Sequence, residues 1–509
     1  MSARPILLLL VFCLALPASA TMAQDTRLYS LYAWCGRNTD QDRLKAELKP
    51  VRPLTLEGMR NDWLVGAAGV MADKPTDATV ALDGPSDFKA AATLKVIGEV
   101  PGREKNGKPT WWLDPVIAEP QKLGDLTKEV RNWNTIHDFP RLHLAPGQPV
   151  MLWLTVKTHA LPPGTWKGSI VATDASGARS VMPIEVKVHP VELPVDSPVI
   201  GYSYTSFRGR RDLAQMALDY GINACGYYDS WDMCRELGFK FYKFAIPFVN
   251  NKGANMDIED ERVVKEGIEP IKEIIARLKL KPEEWGIEIF DEPFDGNAWA
   301  AVAWMVRLRY LWPEARFWTN IGFANAGRNF GSVANTVDPM KPYVNVWSPY
   351  VKYLEPSSAD VLKAIRATGK PIWYYIVTFR HGRPLDGGWC MPWLAWRDHL
   401  QGWSFYSLDN FGRTHEDGTP VNPWMEDSCA RTYPGPTPSL WLEALRQGVQ
   451  DYKRLWLLEQ HGVSRKKLDQ MADRVVYFSE HNQLAVKLDQ CASARRDLDQ
   501  MLLERAVKK

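Results

Sequence analysis

The stretch WGIEIFDEPF, residues Trp285 to Phe294, decides how the chain is read. Ile287, Ile289 and Phe290 alternate with small or polar residues, which predicts a buried strand over Gly286 to Phe290. The step Asp291-Glu292-Pro293 stops that strand and leaves two adjacent carboxylates at its carboxyl end. In a barrel of parallel strands that end is the catalytic face, because the substrate-binding loops emerge there. A second Asp-Glu pair, Asp260-Glu261, lies in a polar segment with no strand before it.

Working outward, seven more apolar runs share this rhythm: Val199 to Tyr204, Ile222 to Tyr227, Phe239 to Pro247, Arg316 to Ile321, Val344 to Tyr350, Pro371 to Thr378 and Trp403 to Leu408. Helical spacing separates several of them; Val264, Ile268, Ile271, Ile275 and Leu278 keep intervals of three and four, with Pro270 starting or kinking the helix. Eight such units predict a (β/α)8 TIM barrel over residues 191–435. Before it, residues 24–190 alternate with period two between Pro, Gly and Asp turns, as in Val150 to Val156 and Val181 to Val188. That pattern predicts an antiparallel β-sandwich with half-buried strands. After it, residues 436–509 read as helices packed on the barrel, the first capped by Ser439 with a stripe of Leu442, Leu445, Val449 and Tyr452.

The N-terminus combines Arg4, an apolar run from Ile6 to Leu16 and the small residues Ala18-Ser19-Ala20, so residues 1–23 are expected to be a signal peptide and the product secreted or periplasmic. No later run is long and apolar enough to span a bilayer. A formal net charge of +2 over 509 residues argues against a nucleic-acid partner. The scattered cysteines form no disulfide framework and no close CxxC pair, although Cys390 and Cys429, both flanking the last barrel strand, are candidates for a single bridge. The sequence shows no HExxH, no tight Asp/His ligand cluster and no glycine-rich phosphate cradle, so neither metal nor cofactor is expected. The 22 tryptophans are expected mostly in cores, with a few offering faces to sugar rings.

Two carboxylates in an aromatic cleft suggest cleavage of a glycosidic bond. Retaining enzymes usually place their two carboxyl groups about 5 Å apart on either side of the bond, which neighbours on one strand do not easily do. A substrate carrying its own nucleophile, such as the carbonyl oxygen of a 2-acetamido group, removes the difficulty. Glu292 is then the general acid and base, and Asp291 accepts the acetamido N–H and stabilises the cationic intermediate. The plainer alternative leaves both acids as strand-end residues that bond loop amides or an arginine.

The segments IEIFDEP at the fourth strand, YPGPTPSLWLEALRQGVQDYKRL from Tyr433 to Leu455, PGTWKGSIVATDASGARSVMPIEVKVHPVELP from Pro163 to Pro194, and Arg60-Asn61-Asp62-Trp63 together resemble glycoside hydrolase family 123. The resemblance implies a sandwich plus barrel and a β-N-acetylgalactosaminidase acting with retention on a glycan or glycoconjugate by the substrate-assisted route. It carries the paired acids over to Asp291 and Glu292, and the aromatics of strands six and seven to Trp347, Trp373, Tyr374 and Tyr375. The chain departs from the family where Trp441 replaces a common Arg, and where the eighth strand reads Phe405-Tyr406-Ser407-Leu408-Asp409-Asn410 instead of ending in Tyr-Trp.

Asn320 and Trp347 end strands five and six, Trp347 as a possible floor beneath a sugar. Tyr374 and Tyr375 point to opposite sides, so one of them faces the cleft. Asp409 and Asn410, at the end of strand eight, are expected to bind sugar hydroxyls, with Asp409 an alternative protein nucleophile. Two other readings stay open: a retaining glycosidase on a non-acetamido sugar, and a carbohydrate-binding protein that has lost turnover.

Overall fold

The computed structural model describes residues 25–34, 41–101, 111–226, 230–247, 249, 258–293, 296–322, 332–377, 385–409, 432–478 and 484–506. The signal segment, Asn410 and Cys429 lie outside them.

The N-terminal region holds ten strands: β1 (Thr26–Leu31), β2 (Leu54–Arg60), β3 (Trp63–Ala72), β4 (Thr76–Asp83), β5 (Ala92–Pro101), β6 (Trp111–Ile117), β7 (Arg141–Leu144), β8 (Val150–Lys157), β9 (Gly164–Asp174) and β10 (Arg179–Glu192). They form two five-stranded sheets, ordered β1-β3-β8-β5-β6 and β2-β10-β9-β4-β7. Inward residues of both, among them Val70, Leu152 and Leu154 from one and Val80, Ile170 and Val186 from the other, share one apolar core. The alternation in β10 buries Met182, Ile184, Val186 and Val188, as its period-two pattern predicts.

Two features differ from the expected antiparallel, half-buried arrangement. Strand β2 pairs with β10 in parallel, because β2 enters its sheet from across the structure and not by a hairpin. Strand β8 is buried on both faces: Val150, Leu152, Leu154 and Val156 face the inter-sheet core, while Met151 and Trp153 belong to the large core of the C-terminal two-thirds of the chain. The ring of Trp153 meets Trp34 edge-on at 5.1 Å, and Trp34 in turn meets Trp389 at 5.2 Å. The outer face of this sheet is therefore an interface and not a solvent surface.

Eight further strands are β11 (Ile200–Ser203), β12 (Ala224–Gly226), β13 (Phe241–Ala245), β14 (Trp285–Glu288), β15 (Phe317–Thr319), β16 (Val344–Trp347), β17 (Tyr375–Ile376) and β18 (Gly402–Phe405). Each overlaps one of the eight predicted runs, with β14 and β18 beginning one residue before theirs. They form one parallel sheet with neighbours in chain order, in which β18 pairs with β11. Bridges Trp347–Ile372 and Tyr350–Tyr375 link β16 to β17, joining the two ends of the sheet. Helices follow most strands. The one before β14 runs Glu269–Leu278 after a π-turn at Val263–Ile268, and Pro270 falls in its first turn, where its missing N–H costs nothing.

The parity of side chains sorts the aromatic residues. Tyr202, Phe241, Trp318, Val346 and Trp373 point into the sheet's interior, whereas Ile287, Phe317, Trp347, Tyr374 and Trp403 pack outward against the helices. Most tryptophans are core, and among the described ones only Trp299 is exposed.

The helix Leu440–Gln460 holds the two regions together. Ser439 caps it, its Oγ accepting the N–H of Leu442 at 3.2 Å. The expected apolar stripe covers only one face, yet Glu443, Arg446, Gln447, Gln450, Asp451, Lys453 and Arg454 are buried as well. Arg454 lies between Asp62, which Nη2 contacts, and Asp499, whose Oδ1 is 2.7 Å from Nε. Glu443 pairs with Arg446 and accepts the hydroxyl of Tyr220 at 2.6 Å. Asp451 receives the indole N–H groups of Trp389 and Trp393 at 2.6 and 3.0 Å and the Arg495 Nε at 2.6 Å. Gln447 donates to the carbonyl of Trp63 at 3.1 Å, and the Arg446 guanidinium sits 4.1 Å from the Trp63 ring. Trp441 packs on Phe405 of β18, their rings 5.0 Å apart.

Candidate active site

Strand β14 ends at Glu288, and Ile289 and Phe290 are buried as the chain leaves the sheet. Asp291 follows as an exposed residue and Glu292 as a half-buried one. Glu292 adopts φ of 53°, a left-handed conformation uncommon for a residue with a Cβ. The turn brings its backbone against Gly322, where any Cβ would lie 2.4 Å from the Glu292 Cβ. A glycine is thus required after β15 for the acid to take this position. The Tyr353 hydroxyl, donating to the Gly322 carbonyl at 2.9 Å, holds that approach from the other side.

Asn320, just past the end of β15, ties the two acids together. Its Oδ1 accepts the Glu292 N–H at 3.2 Å, and its Nδ2 donates to Asp291 Oδ1 at 2.6 Å. The hydroxyl of Tyr375 donates to Glu292 Oε1. Burial pushes the Tyr375 phenol well above its ordinary pKa, and the charges of Glu292 and Asp291 push it the same way. Tyr375 therefore remains a neutral donor across the working pH range. Its ring lies 5.1 Å from Tyr350, and Tyr204 and Tyr406, just past the ends of β11 and β18, form a second pair 6.1 Å apart.

Beneath the acids the interior is not purely apolar. Lys243 of β13 and Glu288 of β14 form a buried ion pair at 2.5 Å. The Lys243 ammonium also lies 4.2 Å from the centre of Tyr204, 4.7 Å from Trp318 and 4.9 Å from Tyr202. Burial lowers the Lys243 pKa, opposed by Glu288 and, more distantly, by Asp291. The ammonium is one positive charge under two carboxylates at the mouth.

Four of the expected residues, Asp291, Glu292, Asn320 and Tyr375, form one connected hydrogen-bonded group. Trp347 is placed otherwise, and of the tyrosine pair it is Tyr374 that faces away. Trp347 is fully buried in the layer between strands and helices, because Val346 takes the inward position of β16. Tyr374 likewise points outward and donates to the carbonyl of Met391 at 2.9 Å. Asp409 is engaged by Nη1 of Arg210 at the rim between β11 and β18. Asn410 lies outside the described residues, as does Cys429; Cys390 is buried with its Sγ 3.3 Å from the Gly387 carbonyl. Sequence reasoning missed Lys243, Glu288, Tyr204, Tyr350 and Tyr406. A lysine inside FYKFA and a glutamate inside WGIEIF were the available signal, since a charge in a doubly covered strand needs a partner.

No family model and no curated protein matches the chain. Among solved structures it is similar to a family 123 glycoside hydrolase from Clostridium perfringens, at 11% identity and a TM-score of 0.63, covering 94% of this chain and 98% of that one. It is more weakly similar to a GH39 β-xylosidase from Caulobacter crescentus, at 14% identity and a TM-score of 0.30 over 50% of this chain and 72% of that one. The likeness to the first is one of fold, and it extends over nearly the whole of both chains: this protein is built as the family 123 glycoside hydrolase is built.

Proposed function

We propose that the protein is an exported glycoside hydrolase of the family 123 kind, with a β-sandwich accessory region and a (β/α)8 catalytic barrel, acting on β-linked 2-acetamido-2-deoxy sugars. N-acetylgalactosaminides are the first candidates. The observation that carries the reading is the adjacency of Asp291 and Glu292, bridged by Asn320 and capped by Tyr375. Export rests on the signal-like residues 1–23. The enzyme similar to it in fold is described as acting on glycolipid glycans, which makes a glycoconjugate the natural substrate class to test first.

In this mechanism Glu292 protonates the glycosidic oxygen while the acetamido carbonyl oxygen of the substrate attacks the anomeric carbon. Asp291, held in orientation by Asn320 Nδ2, accepts the acetamido N–H and offsets the positive charge of the bicyclic intermediate. Glu292, now ionised, takes a proton from the incoming water, and the configuration is retained. Tyr375 offers its hydroxyl to Glu292 in the resting site and to the acetamido oxygen when substrate is bound. The left-handed backbone at Glu292 turns two chain neighbours toward one substrate, an arrangement a regular strand does not offer.

The test is a set of aryl β-glycosides with and without the 2-acetamido group, together with a thiazoline mimic of the intermediate. Turnover confined to the acetamido sugars, with tight thiazoline inhibition, is expected. Rapid hydrolysis of the plain sugars without inhibition would overturn substrate assistance and turn attention to Asp409.

A further inference from the structure

A second constellation lies far along the chain from Asp291, on the second N-terminal sheet. The sequence HDFPRLH places His137 and Asp138 on the turn after the short helix Trp133–Ile136, and His143 on β7. Their ligand atoms lie within 4.8 Å of one another. His143 Nε2 is 3.0 Å and His137 Nε2 3.5 Å from the same oxygen, Oδ2 of Asp138. A tetrahedral Zn²⁺ with bonds of about 2.0–2.1 Å sets its ligand atoms about 3.3 Å apart, between these two separations.

The surroundings orient both rings for such an ion. The Nδ1 of His143 faces Asp77 Oδ1 at 2.7 Å, and Asp77 is the residue directly opposite His143 in the β4–β7 ladder. The Nδ1 of His137 faces the Trp133 carbonyl at 3.2 Å. Each imidazole thus has an acceptor on Nδ1 that can hold a proton there, while Nε2 faces Asp138 and is the nitrogen an ion would take in exchange for a proton, as in metal-bound histidines oriented by a carboxylate or carbonyl. Arg141 balances Asp77 by contacting its other oxygen. Asp77 and His143 border an open groove of about 1130 Å³, which gives an ion a way in.

We propose that His137, Asp138 and His143 form a Zn²⁺ site with three protein ligands and a fourth position open to water, oriented by Asp77 and the Trp133 carbonyl. Zinc fits the two imidazoles and one carboxylate better than calcium or magnesium, which prefer all-oxygen shells. Binding replaces the proton that His143 Nε2 shares with Asp138. The ion clips the turn after the helix to β7, the four-residue edge strand of its sheet.

The full mature chain, stripped with EDTA and titrated calorimetrically with ZnCl₂, tests this. One equivalent at micromolar or tighter Kd is expected, with a rise in Tm in the presence of the ion. His137→Asn and His143→Gln should abolish both effects, and Asp77→Asn should weaken binding about 10–100-fold. His399→Gln, at an exposed histidine paired with Asp469, should change nothing. His137 lies on an exposed turn, so its variant serves if His143→Gln fails to fold. Absence of saturable binding, or the same Kd in His137→Asn as in the unaltered chain, would leave only a histidine–aspartate ion-pair cluster and overturn the proposal.

Discussion

Two dense polar clusters, one along the helix Leu440–Gln460 and one at the end of β14, are held in opposite ways. Along the helix Leu440–Gln460, charges are set against charges: Arg454 against Asp62 and Asp499, Arg446 against Glu443, and Arg495 against Asp451. At the end of β14 two like charges stand side by side, hydrogen-bonded by the neutral groups Asn320 and Tyr375, with the charge of Lys243 acting on Asp291 from beneath. Opposite charges locked in a dry interior gain only by staying ionised, so they fix geometry. The hydrogen bonds from Asn320 and Tyr375 strand no opposite charge when a carboxylate changes its protonation state, and proton transfer requires that freedom.

The contrast breaks most visibly at Glu292. Glu292→Gln should lower kcat on substrates with poor leaving groups by about 10²–10⁴, with a smaller loss on activated aryl glycosides and no change in the urea unfolding midpoint. At Arg454 the pattern inverts. Arg454→Ala strands the buried carboxylate of Asp62, and equilibrium unfolding should register a loss of about 3–5 kcal/mol, while any activity of the folded fraction persists.

Lys453 sharpens the comparison through pH. Burial lowers its pKa from 10.5 to about 8, and its Nζ donates to the Val195 carbonyl at 2.7 Å. The unfolded chain therefore binds more protons between pH 8 and 10, so this group makes stability rise across that window; its penalty is fully present below pH 8. Above about pH 10 the buried phenol of Tyr452, raised to about 12, acts in the other direction. Lys453→Met should increase stability at pH 7 by about 1–2 kcal/mol and remove the rise between pH 8 and 10 in a denaturation series. The smallest effect is expected from Tyr375→Phe, which deletes one hydrogen bond to Glu292 and should reduce kcat about tenfold, chiefly by misplacing the acid. A larger loss in Tm than in kcat would make Tyr375 a core residue instead.

The parallel strands were legible because each is a compact apolar run closed by polar or turn residues, and Asp291 and Glu292 stood out because they interrupt one. Parity within those runs was not legible. In Val344–Trp347 and in the Trp373-Tyr374-Tyr375 run both faces are covered, so composition does not tell inward from outward: it places Trp347 in a cleft from which its neighbours exclude it and leaves the choice between Tyr374 and Tyr375 open. The polar content of Leu440–Gln460 misled in a similar way. Glu443, Arg446 and Arg454 resemble a solvated helix face, and only the three-dimensional placement of Asp62, Asp499 and Tyr220 shows that they are interior. The His137–Asp138–His143 grouping was hidden because its orienting carboxylate, Asp77, lies 66 residues before His143 and meets it only across the β4–β7 ladder.

The wedge-like helix also orders events during synthesis. A ribosome delivers both N-terminal sheets and all eight parallel strands before residues 440–460 emerge. Until then the carboxylate of Asp62 and the indoles of Trp389 and Trp393 have no Arg454 or Asp451 to meet. Asp499, the second partner of Arg454, arrives later still. The nascent chain must therefore carry two largely assembled halves with an open seam, and roughly the last seventh of the polypeptide is what closes it. A chain stopped just after β18 would retain every strand of the three large sheets and both acids but lack the seam, leaving a wet, apolar interface exposed to the aggregation that the intact molecule avoids.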